Sequence, residues 1–536
     1  MASLCRVVEG LPLAVELTAA QLRAHSLEEL TAQVCKGLEP LRRRRARPTR
    51  HRSLTEAIDW SHRLLGPGEQ HCLARLSVFA GGCTVTAAQQ LTEPSAGSEA
   101  VLADLVERSL VTAEHGDTTR YRLLEPVRQF AALRLRATGD EHAARRRHAA
   151  IFRRLAEQAD ERYAPAGTDI LRARSAVLHE LANLRAALEW SLGPGGDLDC
   201  GMRLAGAVTW LWTGLPREGL HWAKRFLDHV GGADPSHEPL VRYAAGLICF
   251  STDLHAAAGH LARAASLAEQ HGDARMHLEA LAQLSIVCYL MGRADRAFAI
   301  ADAVAATAAR YGTALETARA DIALGVAWCG LGELARAQDL LGKAQTQLAA
   351  DDHRAALATC HWAWAEAAHY SGRARRSAEL SAAALGGTAA EEDLFATACR
   401  HSQAARNLLT AGQHTAGRSH LTIALRHCLD QGLWMPAVDA LVTSSRLAAD
   451  TGRPVQAVTL QAAAQALRRR TGRRPAPVER PGLRSHAQAL RSLVPLREYA
   501  QARHAGAAIA PEAALRLALA TAAADEAAAT AGLAVW

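Results

Sequence analysis

Side chains able to do chemistry are plentiful in this sequence of 536 residues, with 24 histidines, 11 cysteines and 61 lysines and arginines. Their spacing builds no reaction centre. A metalloprotease helix needs two histidines one turn apart around a glutamate, and no H-E-x-x-H occurs. No C-x-x-C pair offers a thiolate clamp. The odd, scattered cysteines, such as Cys249, Cys288 and Cys329, fall on apolar stretches and read as small core fillers in a reducing cytoplasm. No G-x-S-x-G elbow presents a nucleophile. No G-x-x-x-x-G-K-[ST] loop supplies the amides and lysine that hold a triphosphate. The residues therefore predict a non-enzymatic chain with no catalytic residue, no metal and no cofactor.

One charged cluster stands out. Arg42, Arg43, Arg44, Arg45, Arg47, Arg50 and Arg52 lie within eleven residues. A phosphate-binding patch is one reading. The other, which we favour, is a solvated linker, since Pro40 and Pro48 interrupt helix there. The net charge of +7 is modest for this length and does not by itself call for nucleic acid.

The elements around these residues are helical. Hydrophobic residues make up 49% of the chain, but aromatics only 4%, and alanine, the best helix former, fills much of the rest. The N-terminus carries no signal-peptide pattern, and no apolar run approaches the ~18 residues of a membrane span. A soluble, cytoplasmic chain with no membrane contact is expected.

A ruler of 40 residues marks the second half: Gly292, Gly332, Gly372, Gly412 and Gly452, with Thr252 one period earlier. Five residues after each mark stands a small side chain (Ala257, Ala297, Ala337, Ser377, Gly417, Ala457). Seven before, another does (Ala245, Ser285, Gly325, Ala365, Ala405, Ser445). Twelve after, alanine recurs at 264, 344, 384, 424 and 464, with Val304 as the exception. Each unit reads as two helices around a turn, left by a glycine with positive φ and packed through the small positions. Gly214 and Gly219 suggest an earlier, irregular copy. Stacked pairs bury one continuous core and present a concave face. Trp328, Trp362, Trp364 and Tyr370 are candidates for that face, although aromatics at helical spacing more often belong to the core.

Upstream, Arg52–Leu91 reads as two helices around Gly66-Pro67-Gly68, with a break at Gly81-Gly82. Ser53 and Glu56 form a capping-box pattern, and Thr84 is placed to cap the next helix. Glu99–Leu110 is amphipathic, and two short strands flank His115-Gly116-Asp117. A helix with Pro126 in its first turn follows, and Gly139 marks its end. Helices followed by a small hairpin make a winged helix. Residues 53–140 hold eight arginines against eleven carboxylates, and the recognition-helix position carries Glu99, Asp104 and Glu107 against Arg108 alone. Such a helix would meet phosphate with the wrong charge, so a protein-contact module is expected.

Six motifs come in a known order: GLPLA (Gly10 to Ala14), AIDWS (Ala57 to Ser61), LARLSVFAGG (Leu73 to Gly82), LVERSL (Leu105 to Leu110), YRLLEPVRQFA (Tyr121 to Ala131) and RRRHAAIF (Arg145 to Phe152). Downstream, NLRAALEWSL (Asn183 to Leu192) and GRPVQAVTLQAAAQALRRRTG (Gly452 to Gly472) continue it. Together they resemble the STAND class of signalling ATPases (NB-ARC-like), and within it bacterial regulators of the LuxR and AfsR type. The repeat positions resemble the tetratricopeptide repeat, with a period of 40 rather than the usual 34. The resemblance implies a nucleotide switch in which Gly10, Leu11, Pro12 and Leu13 lie near adenine, the proline touching it. It also implies a Met-His-Asp position, here Leu123, Leu124 and Glu125. Leu124 has no hydrogen-bonding side chain, so ADP sensing there is not expected. With no phosphate loop and no acidic Mg²⁺ site, the chain keeps hinge and lid without the pocket. ATP or ADP would enter only if a P-loop domain came from elsewhere, or if the start is truncated. Nor does the alanine-rich end show the terminal helix-turn-helix of LuxR-type members.

The expected fold is mainly α, a winged-helix domain followed by an α-solenoid of TPR-like hairpins. Its parts are a switch remnant (1–48), the winged helix (49–140), a helical connector (141–235), the repeats (236–472) and an alanine-rich helical segment (473–536). The expected function is non-catalytic signal relay in transcription regulation, with a protein partner or inducer on the solenoid. A DNA-binding factor using the wing and basic run, and a split ATPase completed in trans, are the alternatives.

Overall fold

The structure, a computed structural model, describes residues 26, 58–59, 62–63, 65–92, 99–116, 118–160, 168–350, 353–386 and 394–523. Gly10–Leu13, the Arg42–Arg52 run and the Ser53 cap lie outside the described residues. The described residues fall into two units, one of residues up to 168 with 175–204, the other of 169–174 with 205 onward.

In the first unit, α1 (Pro67–Leu76), α2 (Val85–Leu91) and α3 (Glu99–Glu107) precede β1 (Thr112–Glu114), β2 (Arg120–Arg122) and α4 (Glu125–Ala137). Thr84 accepts the Ala87 N–H at 3.2 Å and so caps α2. Pro126 sits in the first turn of α4, where its missing N–H costs nothing. The strands pair antiparallel in the register Thr112↔Arg122, Ala113↔Tyr121, Glu114↔Arg120. Leu102 and Leu105 of α3 are buried, as are Leu73, Leu76 and Leu91, while Glu99, Asp104 and Glu107 are exposed. Then come α5 (Glu141–Gln158), α6 (Ile170–Leu178), α7 (Leu181–Leu192) and α8 (Leu198–Ala207).

Two of the sequence motifs meet here. Asn183, fully buried, accepts the Ala80 and Gly81 N–H groups at 2.9 and 3.3 Å and donates to the Gly82 carbonyl at 2.9 Å. Its amide also donates to Glu180 at 2.6 Å, and Glu180 holds Arg120 at 2.6 Å. Asn183 thus satisfies a sharp backbone turn that no helix or strand could. Gly82 has φ +74, and a side chain there would sit 2.6 Å from the Tyr121 carbonyl. Only glycine fits.

The second unit begins with α9 (Thr209–Gly214) and α10 (Pro216–Leu227). Six hairpins follow: α11 (Glu238–Cys249) with α12 (Leu254–Gln270), α13 (Ala274–Leu290) with α14 (Ala294–Tyr311), and α15 (Ala314–Leu331) with α16 (Leu334–Ala350). Then α17 (Arg354–Tyr370) pairs with α18 (Ala374–Gly386), α19 (Leu394–Thr410) with α20 (His414–Gln431), and α21 (Trp434–Asp450) with α22 (Pro454–Thr471). Three more helices, α23 (Arg480–Leu493), α24 (Leu496–Ala508) and α25 (Pro511–Ala523), complete it; α24 packs on α22, and α25 on α20 and α21.

The five glycines of the ruler turn with φ of +72, +94, +72, +79 and +73. Gly272, Gly432 and Gly472, at the ends of second helices, are also left-handed. The two small positions prove to be opposite sides of one contact. Ser285 Oγ donates to the Ala297 carbonyl at 2.8 Å, Ser377 Oγ to Ala365 at 3.1 Å, and Ser445 Oγ to Ala457 at 2.8 Å. Helices this close leave no room for larger side chains: a Cβ on Gly325 would sit 2.9 Å from Leu341. Helices of 17 or 18 residues in α13–α16 account for the long period.

Two marks turn by other means. At Thr252 the chain turns without positive φ, and Asp253 caps α12 by accepting from His255 and Ala256. Gly214 ends α9 without entering the left-handed region, while a Cβ on Gly219 would sit 2.5 Å from Trp212, so α9 and α10 form a short, irregular pair.

Candidate functional site

The first helix of each hairpin faces a cavity of about 290 Å³, bounded by α9, α11, α13, α15, α17, α19 and α21. Its floor is made by a segment that returns after α22. Arg474 N–H donates to the Leu290 carbonyl at 2.8 Å and Val478 N–H to Gly330 at 3.3 Å. That segment brings Arg473 and Glu479 into the wall. The start of α21 is tied to the α11–α12 turn, Met435 N–H to the Ser251 carbonyl at 2.9 Å.

Most of the wall is apolar, with Leu247, Phe250, Ile286, Leu290, Phe395 and Met435. Set into it is a charged cluster. Arg406 Nη2 lies 2.8 Å from Glu366 Oε1, with side chains only 14% and 22% exposed. Gln403 Nε2 bridges the Trp362 carbonyl at 2.8 Å and Glu366 at 2.9 Å. Arg473 Nη1 lies 2.6 Å from Asp439 and its Nη2 3.6 Å from Glu479, and Arg468 approaches Glu479 at 4.0 Å.

Burial works against every charge in this cluster, and the pairing decides which ones survive. Burial alone would lower the Arg406 pKa, but Glu366 holds it well above the ordinary arginine value. Asp439 does the same for Arg473. Burial pushes the Asp439 carboxyl up, yet Arg473 and Arg468 bring it below the usual range. For Glu479 burial prevails over Arg473, and its pKa is raised. Burial also raises the Tyr289 and Tyr370 phenols. His369, behind the wall, is driven by burial and Arg406 down to about 2 and stays neutral.

Among the described residues, Ser402 Oγ and Arg473 Nε, both buried in the wall, have no hydrogen-bond partner. Buried polar groups are usually hydrogen-bonded, so both are polar atoms available to engage a bound molecule. Cys329 and Cys399 reach the cavity, but burial raises the Cys329 thiol far from thiolate, and the lining has no histidine to act as its base. An apolar wall with a few polar groups set into it is the usual make-up of a small-molecule pocket.

Of the aromatic candidates, Trp362 and Tyr370 line this cavity. Trp328 instead packs edge-on to Phe298 at 4.4 Å under Arg336, and Trp364 lies under Arg376, both outside the lining. The charged members were missed. A lone carboxylate inside an apolar helix, Glu366 in WAWAEAAHY or Asp439 in MPAVDALV, is the signal that could have found them.

The Met-His-Asp-like residues lie in the first unit. Leu123 and Leu124 lead into α4, and Glu125 is bound to Arg128 and Gln129 at 2.7 and 2.8 Å. Among the described residues no group of three His, Cys, Asp or Glu could hold a metal, and no helix is long and apolar enough to cross a membrane.

Residues 65–136 match the family described as a winged helix-turn-helix domain. The chain is 35% identical over 242 residues to a candidate HTH-type transcriptional regulator of Mycobacterium bovis and, equally, to one of Mycobacterium tuberculosis; this is 42% of the chain and 26% of either relative. It therefore spans about a quarter of those relatives' length. An uncharacterised protein of Mycobacterium bovis is 33% identical over 147 residues, 26% of this chain and 37% of that one. Among solved structures, a STAND protein with a tetratricopeptide repeat sensor from Pyrococcus horikoshii aligns with a TM-score of 0.42 and 13% identity, over 90% of this chain and 72% of that one. A Rap protein complexed with competence and sporulation factor aligns at 0.41 and 12%, over 68% of this chain and all (100%) of that one.

Proposed function

We propose, from the premise that this chain is a winged-helix and helical-repeat portion of a STAND-type regulator, that its solenoid is the sensor and takes a small inducer in the cavity between the first helices. The observation that carries this is the pairing of an apolar wall with a buried charged cluster that still leaves Ser402 Oγ and Arg473 Nε unpartnered. A ligand there touches α11 through α21 and the returning segment at once, so it can change how the hairpins stack. The chain acts without catalysis, as a relay. The exposed carboxylates of α3 suit contact with protein better than entry into a DNA groove.

The test uses 1-anilinonaphthalene-8-sulfonate, an aromatic body with one anionic group, as probe. The whole chain should bind it at a single saturable site. Ile286→Trp, which enlarges a partly buried wall residue, should weaken that binding at least ~10-fold with the helical signal and melting temperature retained. Equal binding by the variant would place the probe elsewhere and refute the cavity as sensor.

A further inference from the structure

The first unit holds a second concavity, of about 380 Å³, on the outer side of α1 and α5. Its lining is Arg75, Arg146, Arg147 and Arg154 with Ala143 and Ala150. On α5, residues 146, 150 and 154 recur every four positions, so they share one helix face. The two alanines leave space between the guanidinium groups, and the arginines rim it.

The arginines are held together rather than spread apart. Arg75 Nε is fixed to Asp140 at 2.6 Å, and its Nη1 donates to the Leu91 carbonyl at 3.0 Å. Arg147 Nη1 donates to that same carbonyl at 3.3 Å. Two guanidinium groups thus converge on a single oxygen, and among the described residues Asp140 is the one carboxylate bonded to any of the four. Arg146 and Arg154, both exposed, have no ion pair or hydrogen bond among the described residues. Their neighbours on α5 behave differently: Arg145 pairs with Glu141 and Arg153 with Glu157. On α5, the arginines that line the groove are the ones with no carboxylate partner among the described residues. Like charges gathered around a hollow repel unless an anion fills it, and planar guanidinium forks match phosphate oxygens two at a time.

We propose that this groove binds a compact oligophosphate, a ligand of several adjacent phosphate groups. The hollow form favours a short anion over a duplex, which would need a long, open surface. The site is independent of the solenoid cavity and of the proposal for it.

The experiment titrates tripolyphosphate into the full chain by calorimetry at about 150 mM salt, where exposed charge pairs are largely screened. One-site binding is expected, weakened at least ~10-fold by Arg146→Ala with Arg154→Ala, side chains the fold does not use. A control removes the same charge from the wing, by Arg108→Ala with Arg122→Ala, and should bind like the wild type. No binding by the wild type, or equal loss in the control, overturns the site. Tighter binding of a duplex DNA probe that is lost in the groove variant overturns the compact ligand and assigns the groove to a nucleic-acid backbone.

Discussion

Arg406→Met would separate a buried charged cluster from a merely crowded one. The guanidinium lies 2.8 Å from Glu366, with side chains 14% and 22% exposed. Methionine has similar reach and no charge, so Glu366 would keep its carboxylate in the cavity wall with only Gln403 to answer it. Removing one partner of a buried pair costs about 3–5 kcal/mol, because the remaining charge is desolvated without compensation. Unfolding entropy of about 2.1 cal/mol/K per residue gives roughly 0.6 kcal/mol/K for a cooperative body of ~300 residues. The melting temperature by circular dichroism should therefore fall by about 5–8 °C. Adding Glu366→Leu should recover most of the loss, since an apolar pair of similar volume is often neutral. If the single variant melts within about 2 °C of the wild type, or the double is no better than the single, the cluster is solvated and its charges are not buried.

Ala337→Trp, at a fully buried contact between paired helices, should overpack by at least ~1–3 kcal/mol and lower both helicity and melting temperature; unchanged melting would refute the phase of the repeat. Gly412→Ala meets no atom within 4 Å but is held at φ +79, so it should cost about 1–2 kcal/mol from backbone strain alone, read as a shift in chemical denaturation midpoint. His148 lies between Phe79 and Phe152, and burial lowers its pKa from 6.5 to about 4. The unfolded chain takes up that proton first, so the stabilisation is whole above about pH 6.5 and is lost as pH falls towards 4, with roughly 2 kcal/mol gone at pH 5. His148→Leu should flatten the pH dependence of near-UV melting in that window, and an unchanged slope would count against it. The purified chain should hydrolyse no ATP, its sequence having no phosphate loop; steady release of phosphate from ATP would contradict this.

The repeat was legible because its causes are local. A turn glycine, the small position five residues on and the one seven before answer to helix geometry within a single hairpin, so the sequence carries them at fixed spacing. The wing was legible for the same reason, its caps, strands and Pro126 being set by neighbours in the chain. Trp362 and Trp364 show where this stops. They are two residues apart on α17, yet one lines the cavity and the other lies beneath Arg376. Asn183 could not be read as the partner of Gly81 and Gly82 before the fold joined segments about a hundred residues apart.

From the sequence alone came the helical class, the period, the winged helix and the want of a phosphate loop. Tertiary structure decided the cavity, its ion pairs and the arginine groove, for they depend on which side chains lose water together. Glu366, Arg406, Asp439, Arg473 and Glu479 come from three helices and a returning segment. Apart, each would be an ordinary solvated charge. Only packing removes the water and makes one group's ionisation the condition for another's.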